Sequence, residues 1–260
     1  MGCYAIHLGD CAGGMTKEHY ISHSVLEIVG KAVQVSGFPW QRPDEPMQIS
    51  TSALSSRILC RHHNSELSHL DETGATFLHT LKSSFDQAVA QKEFTSEVFS
   101  IEGEKLELWL LKILCGIFSA TGAVAVPKTW VNILFEREAF PNASGISIFG
   151  TSGSASWFFN LIRVISVRDK EGDIAGAKFG VGGLALLLAF GKPLFTEKGM
   201  QALYRPKSIV MEKGGNAKRF DFSWPSNEGG GSLHLRLTGR IRAGTSRIRP
   251  IVEPDNTNQE

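Results

Sequence analysis

Met15-Thr16-Lys17-Glu18-His19-Tyr20-Ile21-Ser22 and, further along, Leu59-Cys60-Arg61-His62-His63-Asn64 are the stretches on which the reading of this chain turns. In the first, an acidic residue stands directly before a His on a segment that reads as a strand. One of the two side chains can hold a metal and the other can move a proton. In the second, Cys60 is followed three residues on by His63 and at once by Asn64, where the chain enters a helix. That supplies zinc-type ligands and one oxygen donor, with Asn64 in the first turn, where its side chain either caps the helix or faces a metal.

At these residues the sequence resembles the HNH endonucleases, whose ββα-metal fold carries an acid-His pair on a first strand and a Cys-x-x-Cys-(His/Asn) segment leading into a helix. The resemblance is confined to the N-terminal part of the chain. It implies hydrolysis of phosphodiester bonds, with His19 as general base and a divalent cation on Glu18 and Asn64. Five residues before Cys60, where the family has the Asn that orients the base, this chain has Ser55, and the second Cys of the pair is replaced by His63. Oxygen donors at both cation positions favour magnesium or manganese over zinc.

Zinc is expected elsewhere, as a structural staple. Cys3, Cys11, Cys60 and His63 make a Cys₃His set, and a unit with so small a core needs such a staple. Gly9-Asp10 and Gly13-Gly14 permit the turns that bring Cys3 and Cys11 together, and His7, between them, is an alternative ligand. The fourth cysteine, Cys115, lies in an apolar stretch and is expected to be buried. For Glu18-His19 the bland alternative is a surface strand pair without a role. For Asp71 it is a place on a helix face, against a further acid at the site.

The 260-residue chain leaves room for more than this unit. It is 42% hydrophobic and 20% charged with a formal net charge of +1, which excludes disordered and membrane classes. The N-terminus lacks the basic start and unbroken apolar segment of a secretory signal, so a cytoplasmic protein without membrane attachment is expected. From Asn64 the spacing of Leu67, Leu70, Phe77, Leu78, Leu81 and Phe85 predicts helix, with Gly74 as a candidate break dividing it in two. Leu106, Trp109, Leu110, Ile113, Leu114, Ile117 and Phe118 predict a core helix over Glu104–Ala120. Val25–Val35 reads as helix or strand, and Phe94–Ile101 as a strand.

After Gly145 short apolar runs alternate with glycine and charge. Strands are predicted at 146–149, 157–167, 177–181, 184–190, 208–211, 219–224 and 233–237, with hairpin turns at 169–173 and 212–216. Gly150–Ser154 reads as a turn, not a phosphate loop. The fold class expected is therefore α+β: an HNH-like unit over residues 1–92, an α+β part over 93–250 that is mostly antiparallel β after 145, and a flexible tail over 251–260.

From Arg205 to Arg249 ten Lys or Arg stand against three Asp or Glu. A negatively charged partner is the natural inference, against the alternative of a solubilised sheet face. Nucleic acid, DNA in the first instance, is thus the expected partner. Arg61 beside the motif and Arg236, Arg240 and Arg242 in the basic stretch are expected to touch it. The C-terminal part either positions this substrate or senses a small-molecule or protein activator. The rival reading is a zinc-stabilised nucleic-acid-binding module whose catalytic site has decayed.

Overall fold

The computed structural model describes residues 2–30, 32–41, 45–89, 94–122, 124–149, 161–168, 173–181, 184–191, 202–225, 230–242 and 245–253. The chain opens with a 3₁₀ turn at Ile6–Leu8, then β1 (Met15–His19), α1 (His23–Val29), β2 (Ala32–Ser36) and β3 (Met47–Ser50). Next come β4 (Ser55–Cys60), α2 (Arg61–Glu66), α3 (Ser68–Val89), β5 (Glu97–Glu102), α4 (Gly103–Thr121) and α5 (Lys128–Leu134). The remainder is strand: β6 (Gly145–Phe149), β7 (Leu161–Arg168), β8 (Ile174–Val181), β9 (Leu184–Ala189), β10 (Ala202–Tyr204), β11 (Ser208–Lys213), β12 (Asn216–Ser223), β13 (Ser232–Arg242) and β14 (Thr245–Glu253). The class is α+β, as expected.

Three sheets organise these elements. β1 and β4 form an antiparallel pair, and α2 follows β4 directly, so strand, strand and helix make one small unit. A seven-stranded sheet has the order β10-β6-β9-β8-β7-β2-β3, and a five-stranded sheet the order β14-β13-β11-β12-β5. Both are mixed, because β2 runs parallel to β7, β11 to β13, and β12 to β5. The division expected at residue 92 is crossed by the larger sheet. β2 and β3 leave the N-terminal stretch and pair beside β7, since buried Val33 and Val35 find their cover there.

α4 packs against α3, α5, β4, β5, β9 and β12. The expected helix is present with one more residue at each end, but it is not amphipathic: every residue from Leu106 to Phe118 is buried. A fully buried leucine contributes about 1.5–3 kcal/mol, so a helix covered on all sides is a strong organiser. It carries two buried charges on different faces. Glu107 accepts from Arg205 Nε and Nη2, both at 3.0 Å, and from the backbone N–H of Ile146 at 2.8 Å, which ties α4 to β6. Lys112 points the other way, towards β1.

Two glycines let α4 approach its neighbours. Gly74 does not divide α3, which runs unbroken; a Cβ there would lie 2.2 Å from the Trp109 ring. A Cβ at Gly116 would lie 2.5 Å from that of Tyr20. Trp109, Lys112 and Gly116 thus form one stripe of α4, at helical spacing, facing the segment Glu18–Ser22.

Residues 128–134 are helical and close onto α4. Within residues 1–23, β1 finds its partner in β4. One predicted feature changes. Ile251–Glu253 belong to β14 rather than to a tail, paired with Ser232–His234. The expectations for Gly150–Ser154, for 157–160, for the turn residues 169–172 and for 254–260 fall outside the described residues. Among the described residues, no helix is long and apolar enough to cross a membrane.

Candidate metal centre and acid-histidine site

Cys3, Cys11, Cys60 and His63 converge on one point, their ligand atoms all within 4.8 Å of one another. Local structure explains why. Cys60 ends β4 and caps α2, and His63 comes one turn later, so both side chains face the same way. Cys3 is held beside β4 by the bond from the Tyr4 N–H to Ile58 O, 3.0 Å. The loop carrying Cys11 is held to the start of α2, where the Arg61 and His62 N–H groups donate to Gly14 O (2.8 Å) and Ala12 O (3.2 Å).

The three sulfurs lie 3.3, 3.6 and 3.2 Å from His63 Nδ1, for Cys3, Cys11 and Cys60 in turn. A tetrahedral zinc, with Zn–S about 2.3 Å and Zn–N about 2.0–2.1 Å, sets sulfur and nitrogen roughly 3.5 Å apart. Hydrogen bonding alone does not account for the cluster. His63 Nε2–H donates to Asp10 Oδ1 at 2.7 Å, so Nδ1 carries a single lone pair towards three thiols. The donor set fits a structural zinc on Nδ1.

Electrostatics around the sulfurs agree. Burial works against the Cys60 thiolate, but the backbone N–H groups of His63 and Ala12 and the neighbouring thiols outweigh it and lower its pKa. Cys11 is pushed up to about 12, first by burial and then by its contact with Cys3. Protons alone therefore leave this cluster mostly as thiols, and a cation is what would ionise it fully.

Asp10 is the residue that sequence reasoning missed here. It holds His63 in one tautomer and is itself held by Arg137 Nη2 at 2.5 Å, while Arg137 Nη1 donates to Leu8 O at 3.2 Å. A carboxylate on the outer nitrogen of a ligating His is the usual way such a ring is oriented. His7 is not a ligand: its Nε2–H donates to Asn132 Oδ1 at 3.0 Å. Cys115 is buried in α4, away from the cluster.

Glu18 and His19 on β1, Ser55 on β4 and Asn64 on α2 all belong to the same β1-β4-α2 unit. β1 pairs with β4 so that His19 stands opposite Ser55, with an irregularity between Thr16 and Glu18. Ser55 is thus placed across from the expected base, but its hydroxyl donates to Ser52 O at 2.7 Å. The His19 ring packs edge-on against His23, with centroids 5.1 Å apart. Burial, and then the charge of His23, hold the His19 pKa below its ordinary value. Asn64 lies near enough to the Glu18 carboxylate to help lower its pKa, the smallest of the causes acting on it.

The Glu18 carboxylate also carries an ammonium. Lys112 Nζ lies 3.0 Å from Glu18 Oε1 and 2.7 Å from Asp71 Oδ2. Asp71 Oδ1 accepts from Ser22 Oγ at 2.6 Å, and Ser22 Oγ accepts from the Trp109 indole N–H at 2.9 Å. Burial drives the Glu18 pKa up, and Lys112 pulls it back only in part. The residues as arranged do not fit a divalent cation on Glu18, because a cation already sits there. Lys112 was legible as the one charge within Leu108–Phe118, although its partners were not.

The other expected contacts divide. Arg61 is exposed at the start of α2, its stem against Gly13. Arg236 is half exposed and donates to Glu212 at 3.0 Å, Arg219 pairs with Asp221 at 2.8 Å, and Lys218 is buried against Glu97. The basic stretch is therefore partly neutralised by its own acids. The side chains of Arg240 and Arg242, on β13, lie outside the described set. The five-stranded sheet carries a groove of about 740 Å³, lined among others by Lys207, Ser208, Arg219, Ser232 and His234. Comparison with protein-family models, with curated proteins and with solved structures finds no match to this chain.

Proposed function

We propose that this chain is a zinc-stapled ββα endonuclease of the HNH type, hydrolysing phosphodiester bonds in nucleic acid, DNA in the first instance. The observation that carries the reading is the unit β1-β4-α2, which carries Glu18 and His19 on its first strand and Asn64 at the start of its helix, next to the Cys₃His cluster of Cys3, Cys11, Cys60 and His63. In this reading His19 takes the proton from the attacking water. Its depressed pKa keeps the ring neutral, and so able to accept that proton, at neutral pH. Zinc on Cys3, Cys11, Cys60 and His63 fixes the start of α2, and with it Asn64, relative to β1. Magnesium or manganese, if it serves the reaction at Glu18 and Asn64, has to take the place of Lys112.

That last condition favours a second reading on a specific observation. Glu18 is satisfied by Lys112 and the Ser55 hydroxyl by Ser52, the pattern of a nuclease scaffold kept for binding after its chemistry decayed. Supercoiled plasmid separates the two. Zinc-loaded protein with added magnesium or manganese should nick or linearise it, and His19→Ala should stop cleavage without loss of folding. No cutting, with DNA still retarded in a gel, would replace the nuclease by the binding module. Equal cutting by His19→Ala would remove His19 as the base.

A further inference from the structure

Lys112 is the least expected member of the acid-histidine site, because a lysine in the middle of the most buried helix is costly unless its charge is met. Its side chain is 4% exposed, and two carboxylates from different elements, Glu18 on β1 and Asp71 on α3, converge on its ammonium. The remaining contacts of those carboxylates point the same way. Ser22 Oγ donates to Asp71 Oδ1 at 2.6 Å, and Asn64 lies near Glu18. The Tyr4 hydroxyl, buried and without a hydrogen-bond partner among the described residues, lies within electrostatic reach of both acids.

We infer that Lys112 is the resident cation of this pocket, holding between Glu18 and Asp71 the place a divalent cation would take, so that magnesium or manganese binds there only by displacing it. Without the ammonium the place holds two facing carboxylates, Glu18 and Asp71, with the Asn64 amide near Glu18, oxygen donors of the kind hard divalent cations take. With the ammonium present, a dication at Glu18 would meet a like charge a few ångströms away in a poorly solvated place, where repulsion is strong. Lys112 cannot readily swing aside, because the α4 residues on both sides of it are buried. Asp71, which is outside the Glu18 and Asn64 pair expected to hold a cation, becomes the third oxygen ligand once the ammonium is gone.

The nuclease reading supplies only the expectation of a cation at Glu18, and the pocket can be tested without it. Manganese binding to the full zinc-loaded chain, followed through the electron paramagnetic resonance signal of free manganese, is the measurement. Wild-type protein should bind weakly. Lys112→Met should bind at least about tenfold more tightly, as expected when a like charge is removed from beside a bound cation, and adding Glu18→Gln should abolish the gain. No gain in Lys112→Met, or a gain that survives Glu18→Gln, overturns the inference.

Should Lys112→Met fail to fold, Glu18→Gln alone decides. It should leave the weak manganese binding unchanged while lowering the melting temperature; tight wild-type binding that Glu18→Gln removes would show that Lys112 does not hold the place. Plasmid cleavage is scored separately. Cutting through His19 without any gain in Lys112→Met keeps the nuclease and discards the resident cation, and the opposite pair of results does the reverse.

Discussion

Two centres lie side by side on the β1-β4-α2 unit, and they differ in whether their donors are already spoken for. At Cys3, Cys11, Cys60 and His63 the donors face one another with no positive charge between them, and the outer nitrogen of His63 is anchored by Asp10. At Glu18, Asn64 and Asp71 the donors face Lys112, which α4 delivers from inside the core. Ligand types in the right pattern are therefore only half of a metal site. The other half is the charge balance that the rest of the chain leaves them, and here a helix distant in sequence decides it.

The largest way to break this comparison is to remove the zinc ligands. Structural zinc contributes on the order of 10–16 kcal/mol of apparent binding free energy in small domains, so Cys60→Ser should abolish the folding of the β1-β4-α2 unit. Far-ultraviolet circular dichroism with melting followed beside zinc content would check this, and an unchanged melt would mean that the core alone suffices.

Next is the buried ion pair itself. Lys112→Ala leaves two carboxylates without their counter-charge and should cost about 3–5 kcal/mol, read from urea unfolding. In combination with Glu18→Gln the loss should be smaller than the sum of the two single losses. Additive losses would mean that the two side chains do not act on each other.

Smaller in effect, and aimed at the Cys₃His centre, is Asp10→Asn. An outer-sphere carboxylate on a ligating His is worth roughly 10–100-fold in metal affinity, to be read by competition with a chromophoric zinc chelator. Retention of full affinity would reduce Asp10 to a partner of Arg137.

The smallest effect is on pH. Since burial and His23 hold His19 below its ordinary 6.5, the neutral base persists to lower pH than a free imidazole. On the proposed reading with His19 as base, the acid limb of a cleavage profile should lie below that value and move up in His23→Ala. The linked effect on stability has the matching sign. Between 6.5 and the depressed native value the unfolded chain takes a proton that the native chain refuses, so stability falls as pH falls through that window.

Much of the Cys₃His cluster was legible, because Cys60 and His63 are one helical turn apart and Gly9 and Gly13-Gly14 announce the turns near Cys3 and Cys11. Asp10 was not, since nothing local distinguishes an acid that turns towards a His far along the chain. Lys112 stood out in the sequence as a charge among apolar residues, but helical periodicity reads such a residue as the polar face, and only packing on all sides of α4 reveals it as buried.

The strands that escaped notice, β3, β4, β10 and β14, are all sheet edges. An edge strand is short or carries charge and proline, as Pro250 does in β14, so it lacks the apolar run by which a central strand is recognised. The pairing of β2 with β7, which merges the two expected parts, is a long-range choice that no local pattern records.

The contrast between the two centres is tested most directly by elemental analysis of purified full-length protein, after equilibration with manganese and gel filtration. One zinc per chain, lost in Cys60→Ser, with no retained manganese is the result that follows from an open Cys₃His centre beside a pocket filled by Lys112. Absence of zinc, or a retained manganese that Glu18→Gln removes, would contradict it.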